Sequence, residues 1–324
     1  MQYLAEAIQR KMIALLSQFG HVLSRPTPMV AEPSPFTPHL IPRFYPYHFL
    51  TPEMLHSQLH FSPEGVPVRF TGDRRDYINP VYPAYYGLVC LNAHLQKGDE
   101  AFLEKAMHMA HFLRAHGRRN DGAMLLEINA SVPRFHVAGP FASCLAQGLA
   151  ASLFLRLHKV HSGSWRDDAD QCVRRMLLPI DDGGTLRTTP EGLHWLEEYP
   201  GDPPSFVLNG FLFALIALLE AEASGLSYPL RSQDLVATLV KTYHHYRYSR
   251  YLRYDRLHRN FCNPQYMGLH VLLFYHLYCS TGLPQMLTLA CDIHQNTHWP
   301  LYFRSFETQL TPGHTSWLEA EVSC

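Results

Sequence analysis

From Val81 onward, apolar residues recur at i, i+3, i+4 spacing in eight stretches: 84–98, 99–117, 139–163, 165–178, 205–225, 232–246, 264–282 and 283–296. That period predicts amphipathic helices, several of which close at a glycine. Residues 122–137 and 183–195, between them, read as short extended pieces. Upstream, residues 1–22 read as an amphipathic helix. Residues 25–47 hold the proline-rich run RPTPMVAEPSPFTPHLIP, which cannot form a regular helix. VPVRFTGDRRDYINP (66–80) reads as a strand, a polar turn and an extended exit. The segment 205–219 is apolar nearly all round, as expected of a helix on the buried inner ring of a layered assembly. The pattern therefore predicts a mostly α fold, an incomplete α/α toroid of helical hairpins with short β-hairpin insertions, in preference to a four-helix bundle. There is no repeat of fixed period to suggest a solenoid. The expected division is an N-terminal helix and Pro-rich arm (1–60), the toroid body (61–304) and a C-terminal tail (305–324).

Composition narrows the class. The chain has 324 residues, 47% hydrophobic and only 17% charged, which suits a compact body with a large core. Its net charge of −1 gives no global field for nucleic acid or an anionic membrane. The longest apolar run, Phe206 to Leu219, contains Asn209 and Gly210 and is too short to span a bilayer. The seven cysteines form no CxxC pair and mostly lie in apolar runs, so they read as reduced core residues. The start resembles an amphipathic helix more than a signal peptide, so a cytoplasmic location is expected. Residues 1–60 look suited to pack on another surface, which makes a homodimer the candidate assembly.

Few familiar motifs are present: no Gly-rich phosphate loop, no GxSxG and no HExxH. The pairs His108/His111, His56/His60 and His294/His298 have helical spacing but no convincing third ligand, so no metal site is expected. Two stretches carry more. In YRYSRYLRYDRLHRN (246–260) an arginine recurs every third residue, interleaved with tyrosines. This suits a carboxylate-bearing sugar, because guanidinium pairs with carboxylate in a bidentate fork and tyrosine offers a ring face and a hydroxyl. A solvated basic loop is the plainer alternative. In WLEEYPGDPPSFVLNGF, Glu197, Glu198 and Tyr199 stand at the doorstep of the most apolar helix. The plain reading is a helix entry with solvated acids, the sharper one a catalytic loop held by that helix.

Taken together, these stretches resemble the D-glucuronyl C5-epimerase family. EEYPGDPPSFVLNGF (197–211) is similar to its acid–acid–Tyr–Pro loop before a Ser-Phe-Val-Leu-Asn-Gly helix. SRYLRYD (249–255) and NPQYMGLHVLL (263–273) resemble its second segment, with a Tyr-x-x-x-His helix. INPVYPAYYGL (78–88) and ASCLAQGLAASLFLR (142–156) look like its two other helix entries. The resemblance covers about residues 65–304. It departs at Gly139-Pro140-Phe141, where the family usually has a tryptophan, and at Tyr254, where the family has an arginine.

The resemblance implies inversion at C5 of glucuronate, giving iduronate, within a glycosaminoglycan-like acidic polysaccharide such as heparosan. The C5 proton is α to a carboxylate, so the site must neutralise that carboxylate and offer an acid–base group on each ring face. No cofactor is required in principle. The implied catalytic residues are Glu198 on one face and Tyr266 on the other, with Tyr199 and Tyr251 bonding the carboxylate or sharing proton transfer. Arg253 or Arg256 would neutralise the carboxylate and lower the tyrosine pKa values. Tyr254, Asn209, His270 and Gln147 are further substrate-binding candidates. A polysaccharide lyase would share the first proton abstraction, a glycoside hydrolase would need a second acid such as Asp181, Asp182 or Asp255, and a non-catalytic uronate-binding protein would keep only the arginines and aromatics.

Overall fold

A computed structural model describes residues 41–46, 50–57, 59–68, 79–248 and 251–296. The expected N-terminal helix, most of the Pro-rich arm, the turn after Val68 and the C-terminal tail lie outside the described residues. Nine α-helices are described: a short α1 (Pro52–His56), then α2 (Val81–Lys97), α3 (Glu100–His116), α4 (Cys144–Val160), α5 (Trp165–Leu177), α6 (Leu208–Ala223), α7 (Ser232–Thr242), α8 (Pro264–Thr281) and α9 (Pro284–Asn296). The last eight match the eight helical stretches of the sequence, with shifted ends. They form successive hairpins in which α2, α4, α6 and α8 pack side by side and α3, α5, α7 and α9 back them. This is the α/α toroid.

Burial separates the two layers. Fourteen of the 16 residues of α6 are buried, against six of the 13 in α5. A helix apolar all round can satisfy itself only inside, and each Leu or Phe it buries contributes roughly 1.5–3 kcal/mol. One contiguous core links Leu88, Leu153, Phe211 and Phe274 of the four inner helices. The outer helices keep polar faces: Arg114 on α3, with Arg119 of the connection that follows, grips Asp168 on α5.

Short antiparallel hairpins occupy the connections. β1 (His60–Phe61) pairs β2 (Pro67–Val68), β3 (Arg118–Asn120) pairs β4 (Ala123–Leu125), and β5 (Glu127–Ile128) pairs β6 (Phe141–Ala142). β7 (Leu186–Thr188) pairs β8 (His194–Leu196), and β9 (Arg247–Tyr248) pairs β10 (Tyr251–Leu252). Helix α4 starts five residues later than its periodicity suggests, because Phe141 and Ala142 are taken into β6. Helix α6 starts at Leu208, after Phe206 at φ 49°.

The inner helices run parallel, and residues 41–46 cross one end of them. The side chain of Asn92 on α2 exchanges two hydrogen bonds with the Tyr45 backbone. Arg156 on α4 donates to Glu220 on α6 and to the carbonyls of Pro42 and Arg43. The Tyr45 ring stacks on Phe213 of α6 and tilts against His276 of α8. That end is stitched shut. The candidate site lies at the other, where the same helices begin.

Candidate active site

β8 delivers Glu197 and Glu198 to the start of α4: the Glu197 carbonyl accepts from Cys144 N–H, and Glu197 N–H donates to the Thr185 carbonyl. Both acids are buried, at 0% and 4% exposure. The reading as solvated helix-entry acids is therefore overturned. The two carboxylates differ. Glu197 is saturated by Arg187 Nε (3.1 Å), Ser205 Oγ (2.9 Å) and Phe206 N–H (3.1 Å). Arg187 also donates to the Gly201 carbonyl. Glu197 is thus a clamp that fixes the turn between β8 and α6. Burial raises its pKa, against the hydrogen bonds and the Arg187 charge that lower it.

Among the described residues no cation pairs with Glu198. Burial pushes its carboxyl up to about 7, the Glu197 charge adds to this, and hydrogen bonds from Tyr199 and Asn209 oppose it. The Asn209 Nδ2 contact is 3.4 Å. Its side chain lies against the α6 backbone, so a Cβ on Gly210 would come within 2.6 Å of Glu198 Cβ and Oε2. Gly201 has no room for a side chain either, because a Cβ there would meet the Phe135 carbonyl oxygen at 2.0 Å. That approach lets Phe135 stack on Tyr199 (centroids 4.4 Å, 10°).

The third wall comes from residues 254–256. The Tyr254 carbonyl accepts from Leu208 N–H, capping α6, and Arg256 N–H donates to the Ser205 carbonyl. The Tyr254 ring meets Tyr266 of α8 edge-on at 4.9 Å. Burial raises both phenols, and the nearby Glu198 charge raises them further. The expectation that arginines lower tyrosine pKa values is not met, because the guanidinium groups lie elsewhere. Both phenols are protonated donors at neutral pH.

Beneath this group, buried polar atoms in or flanking the first two turns of three inner helices have no partner among the described residues: Ser143 Oγ and Gln147 Oε1 at α4, Asn209 Oδ1 on α6 and His270 Nε2 on α8. Gln147 spends its amide on the Met124 carbonyl. His270 Nδ1 is bonded to the Tyr266 carbonyl, which makes Nε2 the acceptor, and burial depresses the ring to about 4. Buried polar atoms are rarely left unpaired. A set of them at one end of the ring is what a hydroxyl-rich ligand would satisfy. The partly positive starts of α4, α6 and α8 point the same way, toward an anionic group.

The structure thus gathers Glu198, Tyr199, Tyr254, Tyr266 and Asn209, with His270 and Gln147 in the inner turns beside them. It does not bring Tyr251, Arg253 or Arg256 to them. Tyr251 sits on β10, 38% exposed, against Phe261. Arg253 lies over Tyr248, and Arg256 over Phe206. Strand parity separates them: Leu252 and Tyr254 point inward, Tyr251 and Arg253 outward. The Arg187–Glu197–Ser205 clamp and Phe135 were missed by the sequence reading. Among the described residues, no group of three His, Cys, Asp or Glu converges as a metal site. Cys90, Cys144, Cys172 and Cys262 are free and buried. No helix among the described residues is long and apolar enough to cross a membrane.

Fold and site together define an α/α toroid with a buried carboxyl–tyrosine cluster at the head of its inner ring. The family model for the D-glucuronyl C5-epimerase C-terminus matches residues 120–292, more than half of the chain, and the protein belongs to that family. It is similar to a D-glucuronyl C5-epimerase of Caenorhabditis elegans, 38% identical over 79 residues, which are 24% of this chain and 13% of that protein. It is also similar to an uncharacterized protein of Methanocaldococcus jannaschii, 23% identical over 204 residues, covering 57% of this chain and 65% of that one. In each case less than two thirds of the relative is spanned. Among solved structures, a GH76 α-mannanase of Bacteroides thetaiotaomicron superposes with TM-score 0.50 and 12% identity, over 74% of this chain and 63% of that one, which speaks to the fold alone.

Proposed function

We propose that this protein is an isomerase that inverts C5 of D-glucuronate residues, giving L-iduronate, within an acidic polysaccharide of the heparosan type. The observation that carries the reading is the Glu198 carboxyl, buried and raised to about 7, near enough to the paired Tyr254 and Tyr266 rings for its charge to raise both phenols. A group with a pKa near the working pH both takes and returns a proton efficiently. Glu198 as carboxylate removes the C5 proton, and the C–H electron pair moves into the substrate carboxylate. Tyr266 gives its phenolic proton to C5 from the opposite face, and the new C–H bond closes there. The resulting phenolate is held by Tyr254 until it is reprotonated and Glu198 releases its proton. The reverse reaction exchanges the roles.

The charge that develops on the substrate carboxylate meets Asn209, Tyr199 and the starts of the inner helices. Arginines are not needed beside it. Acid–base groups of the chain suffice for every step written here.

The test is incubation with heparosan in deuterated water, read by proton NMR. Deuterium at C5 with iduronate signals is expected, and Glu198→Gln should abolish both. Unsaturated uronate would convert the reading to a lyase that shares the first step. Absence of exchange with both heparosan and chondroitin would overturn it.

A further inference from the structure

The hairpin β9–β10 has two unlike faces. Antiparallel partners standing opposite each other share a face. Arg247 pairs with Leu252, and Cys262 N–H bonds the Leu252 carbonyl. Leu252 and Cys262 are buried, and Arg247 is engaged with Asp292 on α9. This face is an ordinary inner one. On the other face Tyr251 pairs with Tyr248, and Arg253 bridges to Phe261. The rings of Tyr248 and Tyr251 lie 5.7 and 5.3 Å from Phe261. Three aromatic side chains and one guanidinium therefore point away from the core.

The charge around that face is only partly compensated. Among the described residues, nine arginines lie within 4.0 Å of a carboxylate, but Arg253 on this face does not, nor do Arg256 and Arg259 farther along the chain; the Glu191 charge acts on Arg256 and His245 without such a contact. Arg253 Nη1 donates to the His245 carbonyl at 3.4 Å, and its buried Nε has no acceptor among the described residues. Partial burial and the Arg259 charge both disfavour its protonated form. At His245, burial and then the charges of Arg256, His244 and Arg253 depress the ring to about 4. A carboxylate delivered to the Arg253 guanidinium would relieve this mutual repulsion.

We propose that the outward face of this hairpin is a second uronate subsite, with a sugar ring on Tyr248, Tyr251 and Phe261 and its carboxylate on Arg253. The subsite rests on the reading of the Glu198 cluster as acting on an acidic polysaccharide. Tyr251 is three residues from Tyr254, at most about 10 Å of extended chain, so one polymer reaches both. The hairpin then sets how long a substrate must be, while the Glu198 cluster performs the chemistry.

The experiment titrates size-defined heparosan oligosaccharides into the full chain by calorimetry and follows C5 exchange by NMR on the same samples. Wild type should bind a decasaccharide on the order of tenfold tighter than a disaccharide, whose single uronate can fill only one of the two places. Tyr251→Ala and Arg253→Gln, each checked for folding by circular dichroism, should lose that gain, the decasaccharide binding no tighter than the disaccharide. Variants that keep the gain would overturn the subsite, as would a wild type with no length dependence. A wild type that binds with length dependence but exchanges no deuterium would keep the subsite and overturn the proposed reaction instead.

Discussion

At one end of the inner ring Asn92 and Arg156 tie Glu220 and residues 42–45 together, with Glu220 Oε2 the oxygen of that pair left over; at the other, Gln147, Asn209 and His270 each keep a buried atom without a partner among the described residues. Both ends lie on the same helices: Gln147 and Arg156 are nine residues apart and Asn209 and Glu220 eleven, or about 14 to 17 Å of helix. Both are built from polar groups in a deeply apolar surround. The paired end holds four helices in register. The unpaired end tolerates unsatisfied groups and a carboxyl forced toward neutrality, which is a stability cost. A site that must seize a hydroxylated anion needs such groups waiting, and the stitched end makes them tolerable.

The largest effect should come from the acid at the open end. Glu198→Gln keeps the shape and the Asn209 contact but cannot accept a proton. Loss of C5 exchange by about 10²–10⁴-fold is expected, with an unchanged circular dichroism spectrum. Retention within threefold would remove Glu198 from the chemistry. In the wild type, turnover that starts with Glu198 as base should rise with pH through about 7, and the reverse direction should fall through the same value.

The closed end should answer in stability. Arg156→Met strands Glu220, whose side chain is 2% exposed, as an uncompensated buried charge. The expected loss is about 3–5 kcal/mol in urea unfolding, with partial recovery in the Arg156→Met/Glu220→Met double variant. A loss below 1 kcal/mol would show that residues 41–46 do not bind the ring together.

This contrast bears on what the sequence could disclose. Helical period is a property of each segment, so all eight toroid helices were legible, as was the inner position of α6. Glu198, Tyr199 and Tyr266 were legible as neighbours because each is tied to a helix entry with a recognisable motif. Tyr251 and Tyr254 were not separable by motif, because the parity of the extended stretch decides which tyrosine faces inward. Leu252 carried the usable signal: in an extended stretch an apolar residue marks the inward parity, and Tyr254 shares it. The closed end was invisible, because Tyr45 meets its partners across 47 to more than 150 residues of chain, and nothing local announces such contacts.

A third test measures the cost of the open end directly. The Glu198 carboxyl is raised from 4.5 to about 7 on folding. Its protonated form therefore contributes stability that is fully present below pH 4.5 and lost as pH rises through 7. Above that the wild type carries a buried charge that glutamine lacks. Glu198→Gln should be more stable than wild type at pH 8 by up to about 3 kcal/mol, and equally stable at pH 4.5. Equal stability at both values would mean that the carboxylate is hydrated and ordinary.

The smallest effect sharpens the comparison most, because it moves Glu198 without altering any titratable group. Gly210 is in the first turn of α6, and a Cβ there would sit 2.6 Å from the Glu198 side chain. The Glu198 Cβ is itself one of the atoms met at 2.6 Å, so rotating the carboxyl does not relieve the clash and the backbone carrying Glu198 must shift as well. Helix propensity favours alanine over glycine, which offsets part of the clash. Gly210→Ala should therefore lose about 1–3 kcal/mol of stability and lose turnover by about tenfold to a hundredfold, with substrate affinity largely kept. Were stability to fall and turnover to survive, the fit of Glu198 against α6 would be packing alone. The open end would then owe its chemistry to the tyrosines and not to the position of the acid.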